Sequence, residues 1–254
     1  MRDYTLEIYK YYLSIFQSYL PFYRFDEFLE ENQSLKKFCL IRHDVDRKPT
    51  NALKMAHLEH EMGIVSTYYF RIKKNTFIPA IIKEIESLGH EIGYHYECLS
   101  DENGNVEKAL ELFKNDLSKF RSIANVKTIS MHGRPLKPYD NRDIWRNASN
   151  YNILQKELKI LGEIYLEIDY RDIAYINDTG RNWTSSKSNR RDKVNSDIEC
   201  NFENNTELID AIKSERFQKV VFQIHPERWS YNSVEYYSQK FKDEAINLIK
   251  TFVR

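Results

Sequence analysis

Short apolar segments alternate with helical patterns along most of this chain, and this alternation restricts its possible folds more than any other feature. The predicted strands lie at 38–41, 64–70, 91–94, 126–131, 163–168, 172–176 and 220–224. Helical spacing of apolar residues predicts helices at 49–62, 78–88, 106–123, 154–161, from 206 onwards and at 234–252. Strands that alternate with helices pair in parallel, either in a barrel or in a sheet covered on both faces. We predict an α/β fold, an irregular (β/α) barrel of about seven mostly parallel strands, because the alternation continues for most of the chain.

The length of the chain, 254 residues, is normal for a single α/β barrel. We therefore predict one barrel domain over 1–254, with 1–36 as an N-terminal helical extension packed on it. The first twenty residues are aromatic-rich but interrupted by charges, unlike a signal peptide. No apolar run reaches the roughly 18 residues of a transmembrane helix. Three scattered cysteines predict neither a disulfide framework nor a cysteine zinc site. These features lead us to expect a cytoplasmic protein, and they leave its oligomeric state open.

The charges of the chain are balanced, with 38 basic and 38 acidic residues and a formal net charge of +0. This balance argues against a nucleic-acid partner. Basic residues nevertheless cluster in the polar loop 177–196, which contains Arg181, Arg190 and Arg191. The loop is either a solvated connection or a lid whose arginines bind a phosphate or carboxylate of a substrate.

Histidines follow four of the predicted strands: His43, His95, His132 and His225. Catalytic groups in barrel enzymes project from the carboxyl ends of the strands, so these histidines are expected to meet at one rim with Asp44 and Asp46. Two imidazoles and a carboxylate can hold a divalent cation with positions left open for water and substrate. A second carboxylate can then act as general base and a histidine as general acid. The pattern predicts metal-assisted hydrolysis.

Each of these residues also has an ordinary structural interpretation. Asp46 could cap the helix that begins near Pro49, and a single histidine after a strand is usually a hydrogen-bonded structural residue. The joint occurrence at several strand ends favours a site. His57 and His60 lie one turn apart on a helix outside the predicted barrel, and we interpret them as surface residues.

In their order along the chain, these motifs resemble those of the carbohydrate esterase family 4 polysaccharide deacetylases, which share the nodulation-factor deacetylase fold. The segment RHDVD at 42–46 resembles the first motif, in the spaced Asp-x-Asp form of divergent members. The resemblance implies that Asp44 is the general base and Asp46 a metal ligand. The segment GHEIGYH at 89–95 strongly resembles the second motif and implies that His95 is a metal ligand.

Three later segments resemble the remaining motifs of that family. Arg134, close to Tyr139, corresponds to the arginine that orients the catalytic base. Asp178 and Trp183 fall in a segment similar to the fourth motif, which lines the pocket with a tryptophan and supports the acid. His225 matches the fifth motif, which implies that it is the general acid. The resemblance extends from about residue 38 to about residue 229, and the order of the motifs at strand ends makes it specific.

The chain departs from the second motif of the family at Leu99, where the family has a second metal-binding histidine. Either the site has no metal or another residue replaces that ligand. We expect His132 to do so, because it ends the neighbouring strand; Glu97 is a weaker alternative. The expected ion is zinc, with cobalt, nickel or manganese as alternatives.

These inferences predict a metal-dependent hydrolase that removes an N-acetyl or similar N-acyl group from a sugar, such as a cytoplasmic glycan precursor. The side chains expected to bind the substrate are Arg42, Tyr139, Asp178, Arg181, Trp183 and Trp229. Three alternatives stay open: hydrolysis of a non-sugar amide on the same scaffold, a catalytically inactive carbohydrate-binding protein, and an assembly partner that uses the aromatic N-terminal helix.

Overall fold

Parallel strands form the centre of the computed structural model, which describes residues 2–31, 34–134, 136–181, 183–184 and 192–252. The strands are β1 (Phe22–Tyr23), β2 (Phe38–Val45), β3 (Thr67–Phe70), β4 (Glu91–Tyr96), β5 (Thr128–Met131), β6 (Gly162–Glu163), β7 (Ala174–Asn177), β8 (Trp183–Thr184), β9 (Asn201–Phe202) and β10 (Lys219–Ile224). Strands β8 and β9 form a separate antiparallel pair, and the other eight belong to one parallel sheet.

Helices connect and cover these strands. They are α1 (Leu6–Gln17), α2 (Phe25–Glu30), α3 (Pro49–Glu61), α4 (Pro79–Ser87), α5 (Cys98–Asp101), α6 (Val106–Arg121), α7 (Asp143–Arg146), α8 (Ala148–Asn152), α9 (Ile164–Glu167), α10 (Asn205–Lys213) and α11 (Ser233–Phe252). A π-helical turn follows α8 at Ile153–Glu157, and a 3₁₀ turn follows β10 at Pro226–Arg228. No helix within the described ranges combines the length and the apolar character needed to cross a bilayer.

The main sheet has the strand order β6-β5-β4-β3-β2-β10-β7, and β1 pairs with β2 beside this path. Every pairing in it is parallel. The sheet curls into a half-barrel with helices around it, and no pairing joins β6 to β7 within the described part of the chain. The predicted fold class is confirmed. All eight residues of β2 are buried, as expected for a central strand covered on both faces.

Local sequence signals explain the helix boundaries around the sheet. Helices α3 and α4 each begin at a proline, which fits the first helical turn because its missing N–H has no intrahelical partner there. Gly63 and Gly89 follow these two helices with φ of 69° and 95°, which glycine adopts without steric cost. The side chain of Asn105 accepts a hydrogen bond from the backbone N–H of Lys108 and caps α6.

Helix α1 and strand β1, which lie within the predicted N-terminal extension, contact the sheet. Helix α1 is capped by Thr5 and buries Ile8, Tyr9, Tyr12, Leu13 and Phe16 in the same apolar cluster as residues of β2 and β10. Strand β1 then pairs in parallel with β2. These contacts make the extension part of the core.

The predicted strand at 163–168 is wrong beyond its first residue. Strand β6 ends at Glu163, and the side chain of Glu163 accepts hydrogen bonds from the backbone N–H groups of Tyr165 and Leu166. This cap starts α9, so the apolar residues after Glu163 form a helical turn. The predicted helix at 154–161 is shorter than expected and is the π-helical turn after α8.

Candidate active site

Strands β2, β4 and β5 carry three possible metal ligands to the same edge of the sheet. Asp46 follows β2, His95 lies near the end of β4, and His132 follows β5. One ligand atom from each residue lies within 4.8 Å of the others. Asp46 Oδ1 is 3.5 Å from His95 Nε2 and 3.4 Å from His132 Nε2. The structure therefore brings together the predicted set, including His132.

Contacts behind the two imidazoles orient them toward Asp46. His95 Nδ1 lies 3.0 Å from the carbonyl oxygen of Ser130, and His132 Nδ1 lies 3.0 Å from Glu97 Oε2. Because a carbonyl and an ionised carboxylate only accept hydrogen bonds, each Nδ1 carries a proton, so that each ring in its neutral form has the lone pair of Nε2 for a cation. Metal-binding histidines usually have such a partner on the second nitrogen. Glu97, the weaker alternative ligand, lies behind His132.

The geometry of this triad fits a divalent ion such as zinc. Two donor atoms each about 2.1 Å from a tetrahedrally bound zinc ion lie about 3.4 Å apart, close to the separations of Asp46 Oδ1 from the two imidazoles. Asp46 Oδ1 is also buried without a hydrogen-bond partner among the described residues. An unsatisfied buried carboxylate oxygen is costly, and a cation would satisfy it.

Electrostatic interactions keep Asp46 ionised. Burial would raise the pKa of Asp46, but His132, and then His95 and His225, hold it well below its usual range. The pKa of His132 is raised to about 9, since Asp46 and Glu97 outweigh the effect of burial. Burial lowers the pKa of His95 to about 4, so this imidazole is neutral. A cation between the three groups would take the place of the proton on His132.

Asp44 is a second carboxylate beside the triad, and three hydrogen bonds fix its position. The guanidinium of Arg42 donates to Oδ1 and Oδ2 at 2.7 and 2.8 Å, and Gln223 Nε2 donates to Oδ2 at 2.8 Å. Asp44 Oδ2 lies 3.6 Å from His95 Nε2. Burial would raise the pKa of Asp44, but Arg42 and then the nearby histidines lower it below its usual value. Asp44 is therefore an ionised carboxylate at neutral pH.

Two predictions about arginines are wrong. Arg42 was expected to bind the substrate, but its side chain is completely buried and paired with Asp44. Arg134 was expected to orient the base; its guanidinium instead donates to Glu97 Oε2 at 3.1 Å. The sequence did contain the relevant signal, because residues two apart on a strand project from the same face. On β2 that spacing places Arg42 beside Asp44.

His225 lies on the other side of Asp44, with its Nε2 4.0 Å from Asp44 Oδ2. Its Nδ1 is 2.6 Å from Asp178 Oδ1, and its backbone N–H donates to Asp178 Oδ2. Burial and Arg228 would lower the pKa of His225, but Asp178 and Asp44 raise it above its usual value. The raised pKa favours the protonated imidazole, which carries a proton on Nε2.

Asp178 supports His225 and is itself completely buried. Besides His225, it accepts a hydrogen bond from Trp229 Nε1 at 2.8 Å and one from Arg228 at 3.2 Å. The contact by which Asp178 would support His225 as an acid is therefore present, whereas its completely buried carboxylate has no surface with which to contact a substrate as predicted.

The two tryptophans expected to stack on a sugar are core residues. Trp183 is 3% exposed and Trp229 is 0% exposed. Trp183 stacks on Tyr4, with ring centroids 5.3 Å apart, and both indoles contact Phe222 or the rings of α1. The prediction of sugar stacking is wrong, because neither ring offers a free face.

The remaining predicted substrate residues contact other parts of the protein. The guanidinium of Arg181 donates to the carbonyl oxygen of Arg228 and lies 4.8 Å from the ring centroids of Tyr4 and Tyr236. Tyr139 is partly buried, and its ring covers Gly104. Arg190 and Arg191 of the predicted lid, together with Pro135, lie outside the described residues.

His43 does not belong to the site, contrary to the prediction that four histidines meet there. As the neighbour of Asp44 on β2, it projects from the opposite face, where His43 Nε2 lies 2.7 Å from Glu59 Oε1. Ser66 and Tyr68 donate to the other oxygen of Glu59 at 2.6 and 2.9 Å. This buried network was missed because Glu59 lies within a helical pattern with no motif around it. His57 and His60 are exposed, as expected.

Comparisons with known proteins add a distant likeness of fold. The sequence matches no family model, and no curated protein emerges as its relative. The structure is similar to a family 4 carbohydrate esterase (CE4) from Streptococcus mutans, with 12% identity and a TM-score of 0.47 over 92% of this chain and 90% of that one. It is also similar to a mutant of the peptidoglycan deacetylase PdaC from Bacillus subtilis, with 11% identity and a TM-score of 0.43 over 84% of each chain. A family 4 carbohydrate esterase from Bacillus anthracis gives 14% identity and a TM-score of 0.40 over 78% of this chain and 88% of that one.

Proposed function

We propose that this protein is a metal-dependent hydrolase of the family 4 deacetylase type, which removes an N-acetyl group from a sugar. One observation carries the proposal. Asp44 lies between an Asp-His-His triad suited to a cation and a histidine that is backed by its own carboxylate. This order of ligand set, base and acid is what hydrolysis of an amide requires.

In the proposed reaction, Asp44 accepts a proton from the attacking water as its oxygen bonds to the carbonyl carbon of the N-acetyl group. His225 Nε2 donates a proton to the amide nitrogen as the carbon–nitrogen bond breaks, giving acetate and a free amine. The cation held by Asp46, His95 and His132 would polarise the carbonyl oxygen and lower the pKa of the water. Arg42 holds Asp44 in place and ionised, and Asp178 does the same for the protonated form of His225.

The finer parts of the proposal concern the ion, the substrate and the location. Two imidazoles and one carboxylate are typical ligands of catalytic zinc, so zinc is the proposed ion, with cobalt, nickel and manganese as the ions to compare. A cytoplasmic glycan precursor as substrate stays a prediction, which cell fractionation would test. His132 completes a candidate triad although Leu99 stands where the family has its second histidine, and this supports an active enzyme over an inactive carbohydrate-binding protein. Measuring free acetate and formate from sugar and non-sugar amides separates deacetylation from other amide hydrolysis.

The test of this proposal is the variant Asp44→Asn, assayed with acetylated chito-oligosaccharides for acetate release and by elemental analysis for bound metal. Removing a positioned general base costs about 10²–10⁴-fold in rate. We expect that loss in kcat with the metal content unchanged, whereas His95→Ala should lose both metal and activity. Asp210→Asn, on the exposed surface of α10, is the matched control and should behave as the native protein. Normal turnover by Asp44→Asn would exclude this residue as the base.

A further inference from the structure

We infer that a cluster of three cations beside the metal triad binds an acidic group of the substrate, so that the preferred substrate is an N-acylated glycan carrying a carboxylate or phosphate close to the acyl group. This inference rests on the proposed function. The cluster, termed here the cationic rim, consists of Arg71, Lys73 and Arg134.

All three cations of the rim meet the carboxylate of Glu97. Arg71 donates to Oε1 at 2.6 and 3.1 Å, and Lys73 Nζ lies 3.0 Å from the same oxygen. Arg134 Nη1 donates to Oε2 at 3.1 Å. His132 Nδ1 contacts this same Oε2, so the guanidinium of Arg134 lies directly beside a proposed metal ligand. The rim therefore adjoins the triad behind His132, and Arg71 also interacts with the charge of Asp46.

The rim contains more cations than are needed to pair with the carboxylate of Glu97. Arg71 alone provides two N–H groups to Oε1, and His132 already meets Oε2. Lys73 and Arg134 are additional, and besides Glu97 they face the carboxylate of Asp101, at 2.8 and 3.9 Å. Three cations thus share the carboxylates of Glu97 and Asp101, and the further carboxylate that acts on Arg71 is Asp46, whose charge the proposed cation would balance.

The excess cations are also the more accessible members of the cluster. The side chains of Lys73 and Arg134 are 35% and 31% exposed, whereas that of Glu97 is 4% exposed. Only Nη1 of Arg134 has a hydrogen-bond partner among the described residues, which leaves the N–H groups on Nε and Nη2 for a ligand. A substrate that approaches the triad on this side would meet cations before it met the carboxylate.

The backbone at Arg134 adds an independent observation. Arg134 has a φ of 31°, in the left-handed region that strains the backbone of a non-glycine residue. Residues in such conformations cluster at ligand-binding and active sites. A guanidinium recognises carboxylate and phosphate groups through paired, charge-assisted hydrogen bonds, which a neutral sugar cannot provide.

The experiment compares matched acidic and neutral substrates. One pair is chitotetraose and its C6-oxidised, carboxylate-bearing form; the other is N-acetylglucosamine and its 1-phosphate, in which the phosphate is next to the acylated carbon. Acetate release gives kcat/KM for each, and the measured quantity is the acidic-to-neutral ratio. We expect a ratio of about ten or more in the native protein, as two charge-assisted contacts would give. Preference within either pair supports the rim and identifies the anion.

The double variant Lys73→Gln/Arg134→Gln should bring this ratio close to one. A purely structural role would lower kcat/KM for both substrates by the same factor and leave the ratio unchanged. Lys119→Gln on α6, at a side chain 60% exposed, is the control and should keep the native ratio. A native ratio near one for both pairs, or an unchanged ratio in the double variant, would overturn the inference.

Binding to Asp44→Asn separates the rim from the chemistry. Calorimetric titration of this variant with the same four compounds should show tighter binding of the acidic members, lost when the two rim substitutions are added. If native protein released no acetate from any compound, the proposed function would fail while this binding difference still tested the rim. Equal binding of acidic and neutral compounds would exclude the rim as an anion site.

Discussion

Arg42 and Asp44 lie two residues apart on the same face of β2, and both side chains are buried. Both carboxylate oxygens of Asp44 accept hydrogen bonds. Arg42 donates to both oxygens, and Gln223 donates to one of them. A buried carboxylate held in this way stays ionised, but it depends on its cation because removing one partner leaves an uncompensated charge. The proposed base is thus maintained by a residue that has no surface for substrate.

The substitution Arg42→Gln tests this dependence. We expect the free energy of unfolding to fall by about 3–5 kcal/mol, because the charge of Asp44 would remain buried without its cation. The double variant Arg42→Gln/Asp44→Asn should lose less, since both charges are then removed. Chemical denaturation of the metal-free proteins measures both values, with Lys108→Gln on the exposed side of α6 as control. An equal or greater loss in the double variant would contradict this account.

At the scale of secondary-structure elements, the triad residues lie together because each is at the carboxyl end of a strand in the parallel sheet. His95 is in register with Ser130, two residues before His132, so parallel pairing of β4 and β5 places the two imidazoles side by side. This much follows from the sequence, because apolar runs identify the strands and their carboxyl ends share one edge. The sequence predicts less well the face of the sheet from which each side chain projects. His43 and Arg42 were both assigned to the wrong surroundings. The spacing of apolar residues also does not predict a helix cap such as Glu163, because the cap acts by accepting hydrogen bonds from backbone N–H groups.

A buried carboxyl group joins α2 to strands β3, β4 and β5 at the opposite end of the sheet. Glu91 accepts hydrogen bonds from the backbone of Asp26 and from the hydroxyls of Thr67 and Thr128. Burial, and then the charge of Asp26, raise the pKa of Glu91 from 4.5 to about 8. The folded state therefore holds a proton that the unfolded chain releases at lower pH.

This shift predicts the pH dependence of stability. Because the folded pKa is the higher one, the contribution of Glu91 is fully present below pH 4.5 and is lost progressively as the pH rises toward about 8. Glu91→Gln should flatten this decline in the free energy of unfolding, measured by denaturation from pH 5 to pH 8.5. Glu111→Gln, on an exposed position of α6, should leave the slope unchanged. The same slope in Glu91→Gln as in the native protein would rule out this group as its origin.

At the scale of the whole molecule, helix α1 completes the core on one side of the sheet. Its apolar face belongs to the same cluster as Phe222 and Ile224 of β10 and Trp229 beyond it. Tyr9 of this helix also donates a hydrogen bond to Glu59, so the helix reaches the network behind β2. The predicted packing of the extension is consistent with these contacts, although its aromatic rings are buried against the sheet and leave little of that face for a partner.

The substitution Leu13→Ala measures how much this helix contributes. Leu13 is completely buried, and truncating a buried leucine to alanine costs about 2–5 kcal/mol. We expect thermal and chemical denaturation to show that loss for the whole protein in one transition. Leu136→Ala is the matched control, because Leu136 is 73% exposed and should change the stability by less than about 0.5 kcal/mol. A separate early transition confined to α1 would show that the helix folds independently.

Because His43 and Asp44 project from opposite faces of β2, a mutation on one face can affect the candidate site on the other. One side of β2 holds the proposed reaction, and the other is fastened by Glu59 to α3, to β3 and, through Tyr9, to α1. Because these contacts fix β2 from the face that carries His43, losing them would also displace Asp44 on the other face. Loss of Glu59, which lies on the face of β2 opposite Asp44, would therefore impair the proposed activity while every residue of the candidate site remained in the sequence.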